Sequence, residues 1–244
     1  MLYCNSAPEN YSRGLFFWGG FLKKTNLKKL SVASMLTAVA FLCTFVFRFK
    51  VAFLTFDFKD AVISIISLLY GPLYGVASAA IVAFFEMLSM SDTGIYGMIM
   101  NFLSSGTFAL TCGIIYKYKR SFCGAIIAVI SSIISVTTIM MIANIFITPH
   151  YLGTTSAEVM SYIPTLLLPF NLAKSVVNAS VVLIIYKPVT NALRRIGLIK
   201  KSEQEGKRIT LKTIILIVIS LAVLALAIAF ILIKLGGSFE VFRL

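Results

Sequence analysis

Long apolar runs constrain the fold of this chain more than any other feature of its sequence. A helix needs about 20 apolar residues to cross a membrane, because the hydrocarbon core is about 30 Å thick and a helix rises about 1.5 Å per residue. Runs of suitable composition lie at 30–47, 58–71, 73–90, 95–116, 123–147, 164–186 and 213–234. The sequence therefore predicts an all-α integral membrane protein, with a six-helix bundle and an additional C-terminal transmembrane helix.

Two of these spans come from one continuous apolar stretch. Residues 60–90 are interrupted by Gly71-Pro72-Leu73-Tyr74-Gly75, and a proline between glycines ends one helix and begins another. The predicted parts of the chain are an N-terminal tail (1–27), a six-helix membrane domain (28–190), a basic linker (191–212), and the extra helix with a short tail (213–244).

Composition and charge support a membrane protein. Of the 244 residues, 59% are apolar and 13% charged, whereas soluble domains average roughly half and a quarter. The net charge is +13, but in an apolar chain such an excess is typical of cytoplasmic loops rather than of a nucleic-acid surface. Basic residues precede the first span and follow the fourth and sixth, while loop 148–163 has none. We therefore predict a multi-pass cell-membrane protein with a cytoplasmic N-terminus.

Several enzyme and metal-site motifs are missing from the sequence. His150 is the only histidine, and neither a Cys-x-x-Cys pair nor a Gly-x-x-x-x-Gly-Lys-[Ser/Thr] phosphate loop occurs. We therefore predict no metal site and no catalytic residue, and we do not expect the chain to hydrolyse ATP through such a loop.

The polar residues of the spans collect on one side of the predicted membrane domain. A charge at mid-bilayer costs at least about 2.5–3.5 kcal/mol, so these residues are candidates for function. With the orientation given above, the outer half contains loop 48–60, Glu86, Asn101, Asn144, Asn171 and Lys174. Asparagine amides suit the polar edge of a heterocycle, and a lysine suits a carbonyl or anionic oxygen. The pattern predicts an outward-facing pocket for a flat, partly apolar ligand.

Structural roles remain open for several of these residues. Asn101 and Asn178 could join helices through interhelical hydrogen bonds, and Glu86 could pair with a basic residue. Asp60 is expected to cap the N-terminus of the second span. Lys174 is the strongest candidate for ligand binding, because the sequence gives this intramembrane lysine no evident partner.

The first span carries small residues at helical spacing. The pairs Ala33/Thr37 and Ser34/Ala38 would let another helix approach closely. Either face would fit docking to a separate membrane subunit.

Five segments carry a resemblance to a known family. They are Phe56-Asp57-Phe58-Lys59-Asp60, Tyr70-Gly71-Pro72-Leu73-Tyr74-Gly75, Gly97 with Asn101-Phe102, Asn144-Ile145-Phe146-Ile147-Thr148-Pro149-His150-Tyr151, and Pro169-Phe170-Asn171-Leu172-Ala173-Lys174. In these segments the chain resembles the substrate-binding (S) components of energy-coupling factor (ECF) vitamin transporters, and most closely the riboflavin-specific group. The resemblance covers about residues 28–190.

The resemblance implies a subunit that captures riboflavin outside the cell and delivers it inward. Its partners would be a transmembrane coupling subunit, docked on the small-residue face of the first span, and two cytoplasmic ATPases. Riboflavin would be the transported substrate, and no cofactor is implied. The residues implied beside the isoalloxazine ring are Asn144, Asn171 and Lys174, with Thr55, Phe56 and Asp57 in the loop next to them.

Two features depart from the family, and other functions stay open. Ser175 stands where the riboflavin group tends to have glycine, and the seventh span lies outside the common six-helix core. The alternatives are an S component for another flat vitamin or a flavin precursor, an intramembrane enzyme using Lys174 with Ser175 or Ser105, and a structural membrane protein. Removal of residues 205–244 is predicted to leave ligand binding intact.

Overall fold

The computed structural model describes residues 27–46, 48–119, 121–195, 197, 211–234 and 238–239. The helices are α1 (Leu27–Val46), α2 (Lys59–Tyr70), α3 (Pro72–Met90), α4 (Gly94–Tyr118), α5 (Phe122–Leu152), α6 (Ser156–Tyr162), α7 (Leu168–Arg195) and α8 (Leu211–Lys234). The strands are β1 (Phe49–Val51), β2 (Leu54–Phe56) and β3 (Ser238–Phe239). Residues 1–26 of the predicted N-terminal tail and most of the predicted basic linker lie outside the described residues.

A nearly all-helical architecture with several membrane-spanning helices is confirmed. Five helical stretches are long and apolar enough to cross a membrane: Lys29–Val46, Pro72–Met90, Gly94–Tyr118, Cys123–Leu152 and Ser156–Leu193. With 12 residues, α2 is only about 18 Å long. In α8 the apolar stretch Val218–Ala227 is likewise short. The assignment of α2 and α8 as further spans stays a prediction.

The short helix α2 lies at the centre of the bundle. It packs against α1, α3, α4 and α7, and most of its residues are buried, including Lys59, Asp60 and Ile63–Leu68. A helix enclosed by other helices does not need to reach water at both ends, because its backbone groups are bonded internally and its side chains contact protein. This position explains how a 12-residue helix is accommodated in a membrane domain.

A sharp turn at Gly71 separates α2 from α3, as the sequence predicts. Gly71 has φ of 106°, a backbone conformation that residues other than glycine rarely adopt. Pro72 occupies the first turn of α3, where its missing N–H costs no intrahelical hydrogen bond. The Gly-Pro pair therefore fixes the boundary of the two helices.

A β-hairpin connects α1 to α2 and was not predicted. In β1 and β2, Phe49 pairs with Phe56 and Val51 pairs with Leu54, while β3 pairs with the other edge of β1. Val51, Leu54 and Phe56 pack in one buried cluster with Phe170, which holds the hairpin on the start of α7. We call the end of the bundle that carries β1 and β2 the hairpin end, and the opposite end, with the α2–α3 turn, the Gly71 end.

The predicted loop 148–163 is largely helical, so this prediction is wrong. α5 continues to Leu152 and ends at Gly153, whose φ is 67°, and α6 begins after a Thr155–Glu158 capping box. The stretch was predicted as a loop because it lies between the apolar runs 123–147 and 164–186, although the Gly153 and Thr-x-x-Glu signals of a helix end and a helix start are present in the sequence.

The start of the last span of the bundle departs from a regular α-helix at a proline. Ile163–Leu167 form a π-helical turn between α6 and α7, with Pro164 in its first positions. Proline cannot donate the backbone hydrogen bond of a regular α-helix. The turn directs the first residues of α7 toward the hairpin, because Leu167 and Phe170 belong to the same buried cluster as β2.

The outward faces of the helices are strongly apolar. Large hydrophobic side chains are exposed on α3 at Phe84, Phe85 and Leu88, and on α5 at Ile130 and Ile134. Extensive exposed apolar surface is unusual in a soluble monomer and suits contact with lipid chains.

Candidate functional site

A cavity of about 290 Å³ opens at the hairpin end, close to the lower limit of the roughly 300–1,000 Å³ typical of small-molecule sites. It is bordered by the end of α1, the hairpin, the end of α3, the start of α4, the end of α5 and the start of α7. Five residues predicted at the binding site line it: Thr55, Asp57, Asn101, Asn171 and Lys174. The helical topology thus brings together side chains that are up to 119 positions apart.

Lys174 has fixed partners, although none was evident from the sequence. Its Nζ donates to the backbone oxygen of Thr55 and to Oδ2 of Asp57, each at 3.1 Å. Both partners come from the connection between α1 and α2, far from Lys174 in sequence. The Asp57 carboxylate compensates the positive charge of the ammonium, and the two bonds hold the lysine at the cavity wall.

The ion pair extends to a second lysine and a second carboxylate. Lys59 Nζ lies 3.1 Å from Asp57 Oδ2, and 2.8 and 2.6 Å from the two carboxylate oxygens of Glu86. The alternative in which Glu86 pairs with a basic residue is therefore confirmed. Asp57 and Lys59 are both buried and are not solvated loop charges. Buried charges require such partners, since an unpaired one is strongly destabilising.

The pairing keeps Asp57 ionised. Burial alone would raise the pKa of the Asp57 carboxyl, but the ammonium groups of Lys174 and Lys59 outweigh burial and lower this pKa to about 2. Asp57 therefore carries a full negative charge at neutral pH, which gives each lysine an anionic partner.

The amide side chains fall into two groups. Asn178 joins elements: its Oδ1 accepts from the backbone N–H of Ala61, and its Nδ2 donates to the backbone oxygen of Asp57, both at 3.0 Å. The alternative in which Asn178 joins helices through hydrogen bonds is therefore confirmed. Asn101 of α4 donates to Glu86 Oε2 of α3 at 3.1 Å, so the interhelical alternative is confirmed for Asn101 as well. Asn171 donates to the Leu167 oxygen at 2.8 Å, and both of these asparagines also line the cavity.

Two residues predicted at the binding site lie behind the cavity wall. Asn144 is fully buried; it donates to the Met140 oxygen at 2.7 Å and accepts from Thr148 at 2.9 Å. Phe56 is also buried and packs edge-on against Phe58, with ring centroids 5.4 Å apart. Neither residue is among those that line the cavity.

Asp60 does not cap α2, so this prediction is wrong. The helix begins after Phe58, which makes no side-chain capping bond, and Asp60 lies within its first turn. The backbone N–H of Lys59 instead donates to Oδ1 of Asp57 at 3.3 Å, while Asp60 accepts a hydrogen bond from Ser105. Asp57 therefore accepts the hydrogen bond at the start of α2 in place of Asp60.

The alternative of an intramembrane enzyme needs Lys174 to be hydrogen-bonded to Ser105 or Ser175, and the described contacts of Lys174 include neither serine. Ser105 donates to Asp60, whereas the Lys174 ammonium donates to Thr55 and Asp57. Ser175 is buried and is not among the cavity-lining residues. A lysine base would need to lie within hydrogen-bond reach of a serine hydroxyl.

The two small-residue pairs of α1 occupy different environments. Ala33 and Thr37 are buried, and Thr37 Oγ1 lies 2.8 Å from Ser78 Oγ of α3. Ser34 and Ala38 are exposed. The Ala33/Thr37 pair therefore packs inside this chain and is not available to a partner, which corrects that half of the docking prediction. The Ser34/Ala38 pair remains accessible.

Sequence reasoning missed part of the cavity rim. Arg48 and Asp92 line the cavity beside Ser91 and Thr93, and the Arg48 guanidinium donates to the backbone oxygen of Met90. These residues lie just beyond the ends of α1 and α3. The sequence contained a signal for them: they follow the ends of apolar runs that, in the predicted orientation, finish on the outer side, where the pocket was expected.

Comparisons with known proteins agree with this architecture. A family model, the ECF transporter substrate-specific component, matches residues 28–186. The riboflavin transporter RibU of Staphylococcus aureus (strain TCH60) is 33% identical over an alignment of 180 residues that covers 69% of this chain and 94% of that protein. The riboflavin transporter FmnP of Bacillus subtilis (strain 168) is 30% identical over an alignment of 173 residues that covers 66% of this chain and 90% of that protein.

The fold also matches a solved structure, that of the S component of a bacterial ECF transporter. The TM-score is 0.60 with 31% sequence identity, and the match covers 70% of this chain and all of the other. The matched region of the family model contains the hairpin, the cavity and the lysine–carboxylate network. This chain therefore belongs to the family of substrate-specific (S) components of ECF transporters.

Proposed function

We propose that this chain is the riboflavin-binding membrane subunit of an ECF-type vitamin uptake transporter. The observation that carries the proposal is the cavity at the hairpin end, lined by Asn171, Lys174 and Asn101. It lies within residues 28–186, which the family model matches, and the chain matches two proteins named riboflavin transporters over 94% and 90% of their lengths. As part of a transporter, the chain would bind the vitamin and leave it chemically unchanged.

The ligand-contacting residues follow from the chemistry of the cavity. The amide of Asn171 and the ammonium of Lys174 would bond to the polar edge of the isoalloxazine ring, while Phe170 and Tyr151 would contact its apolar faces. Thr55 and Asp57 would place the ammonium through the bonds it donates to them. Asn144 would reach the ring after exchanging its bond with Thr148 for one to the ligand, and Phe56 would support the hairpin from behind.

Transport would require partners that supply energy. We propose a transmembrane coupling subunit, docked on the exposed Ser34/Ala38 face of α1, together with two cytoplasmic ATPases. The small side chains of this face allow close helix contact.

The distribution of basic residues supports an orientation in the cell membrane with the N-terminus in the cytoplasm. In this orientation the cavity opens to the exterior. The bundle would then cross the membrane six times, with α2 as its short central helix, and α8 would add a seventh span.

The absorption spectrum of the detergent-purified chain tests the proposal directly. We expect a flavin to co-purify with the protein and to be visible in its absorption spectrum, or we expect saturable quenching of riboflavin fluorescence on titration. The same titration with another flat vitamin is the control and should leave its signal unchanged. A colourless protein that leaves riboflavin fluorescence untouched would contradict riboflavin as the substrate and favour an S component for a different vitamin.

A further inference from the structure

The cavity has a second polar wall that the contacts proposed for the ring do not use. One wall carries Asn171 and Lys174, and the other carries Glu86 and Asn101. The Glu86 carboxylate is linked to Lys174 through Lys59 and Asp57, because each neighbouring pair is in hydrogen-bond contact. The two walls are therefore joined by one continuous network of hydrogen bonds.

Glu86 is held by the protein from behind. Lys59, whose Nζ contacts both Glu86 oxygens at 2.8 and 2.6 Å, is only 1% exposed and is not among the residues that line the cavity. Glu86 itself does line the cavity. The buried lysine thus compensates the charge from the protein side, while the carboxylate borders the space available to a ligand.

This carboxylate retains capacity to accept hydrogen bonds. An ionised carboxylate offers about four acceptor positions, and the recorded donors to Glu86 are Lys59, at both oxygens, and Asn101 at 3.1 Å from Oε2. The Asn101 amide has a second N–H and a carbonyl oxygen. Together the two side chains can accept from and donate to neighbouring hydroxyl groups, which is the pattern that a polyhydroxylated chain requires.

Resting on the proposed function, we infer that Glu86 and Asn101 form a subsite for the ribityl chain of riboflavin. The hydroxyl groups of that chain would donate to the Glu86 carboxylate and accept from the Asn101 amide. The pair would then determine specificity for flavins that carry a polyhydroxylated substituent, separately from the recognition of the ring by Asn171 and Lys174.

Comparison of two ligands in a set of variants tests the inference. Lumiflavin has the isoalloxazine ring with a methyl group in place of the ribityl chain. In Glu86→Gln the preference for riboflavin over lumiflavin should fall by about tenfold or more, since a hydrogen bond to a charged group contributes about 1.5–3 kcal/mol. Dissociation constants from fluorescence quenching of both flavins give the preference. A loss of affinity equal for both ligands would overturn the inference and leave Glu86 as a support for Lys59.

Two further variants keep the test decisive. Asn101→Ala leaves the Lys59–Glu86 ion pair in place and should also reduce the preference for riboflavin, by about threefold to tenfold; an unchanged preference would contradict the subsite even where Glu86→Gln fails to fold. Glu158→Gln changes an exposed acidic residue outside the cavity and should alter neither dissociation constant. If the wild-type chain binds neither flavin, the proposed function fails, and this inference with it, before any variant is compared.

Discussion

The two ends of the bundle use the same helices for different purposes. At the hairpin end, α2, α4 and α7 contribute Lys59, Asn101 and Lys174 to a polar network around a cavity. At the Gly71 end, α2 and α4 contribute Ser67 and Gly113 to close packing against the α2–α3 turn. The difference indicates that ligand recognition and helix packing are separated along the length of each helix, so that substitutions at one end should affect mainly one property.

Packing at the Gly71 end depends on glycines, whose lack of a Cβ lets neighbouring helices approach closely. A Cβ added at Gly113 would lie 2.8 Å from the Cα of Pro72, and one added at Gly75 would lie 2.6 Å from the Cβ of Ser67. Ser67 Oγ itself donates to the Ala109 oxygen at 2.5 Å. Helices in membranes associate through such close contacts between small residues, so this end is built for tight contact.

Lys174→Met gives the largest expected effect and tests the hairpin end. Removing the ammonium takes away the proposed ligand contact and one of the partners of the buried Asp57. Riboflavin affinity should fall by about hundredfold or more, since truncating one partner of a buried charged pair costs about 2–5 kcal/mol. Fluorescence quenching measures the affinity, and the membrane-extracted yield reports insertion.

Lys187→Met is the matched control for this change. It makes the same substitution in α7, outside the cavity-lining residues, and should leave riboflavin affinity unchanged. An equal loss in both variants, or unaltered affinity in Lys174→Met, would remove the distinction between the two ends and the main claim about the site.

Gly113→Val tests the Gly71 end and should change stability rather than binding. The new side chain collides with the backbone of Pro72, and overpacking of a well-packed core costs about 1–3 kcal/mol. The thermal unfolding midpoint in detergent should drop, while the protein that remains folded should bind riboflavin with nearly wild-type affinity.

Gly106→Ala provides the comparison for Gly113→Val. It lies in the same helix, but its Cβ would meet Phe102 at 3.5 Å, an ordinary van der Waals distance, so the unfolding midpoint should hold or rise. A loss of riboflavin affinity in folded Gly113→Val would show that the two ends are coupled and are not separable along the helices.

The helical framework could be predicted from the sequence because its signals are local. Apolar runs located the helices, and the Gly71-Pro72 pair marked the α2–α3 boundary that the structure confirms. The π-helical turn at the start of the last span of the bundle also contains a local signal, Pro164. The Thr155–Glu158 capping box was equally local, but the stretch between two apolar runs was predicted as a loop without using it.

The partners within the site could not be predicted, because they are non-local. Lys174 meets Asp57 across 117 positions, and Lys59 meets Glu86 across 27; neither pairing has a sequence spacing that marks it. Which face of α1 packs inside was equally hidden, since Ala33/Thr37 and Ser34/Ala38 have the same spacing and similar sizes. Only the position of Ser78 on α3 distinguishes them.

The smallest effect is expected from removal of residues 205–244, which tests whether the hairpin end depends on the C-terminal segment. β3 pairs with β1 and Ala227 of α8 packs against the cluster that contains Phe56, so the segment does contact the hairpin. However, β1 and β2 form their own ladder, and Val51 and Phe56 pack on Phe170 without it. Riboflavin affinity should therefore change by less than about threefold, within the range of one weak hydrogen bond.

A second truncation, after Lys234, separates the strand from the helix, because it removes β3 and keeps α8. Both truncated chains should bind riboflavin in a fluorescence titration, provided that their yield from the membrane matches that of the full chain. A loss above about tenfold in the longer deletion alone would assign α8 a share in holding the hairpin cluster, whereas the same loss in both would assign it to β3. Since about 1.4 kcal/mol corresponds to a factor of ten, either result would mean that the binding unit extends beyond residues 28–186, which the family model matches.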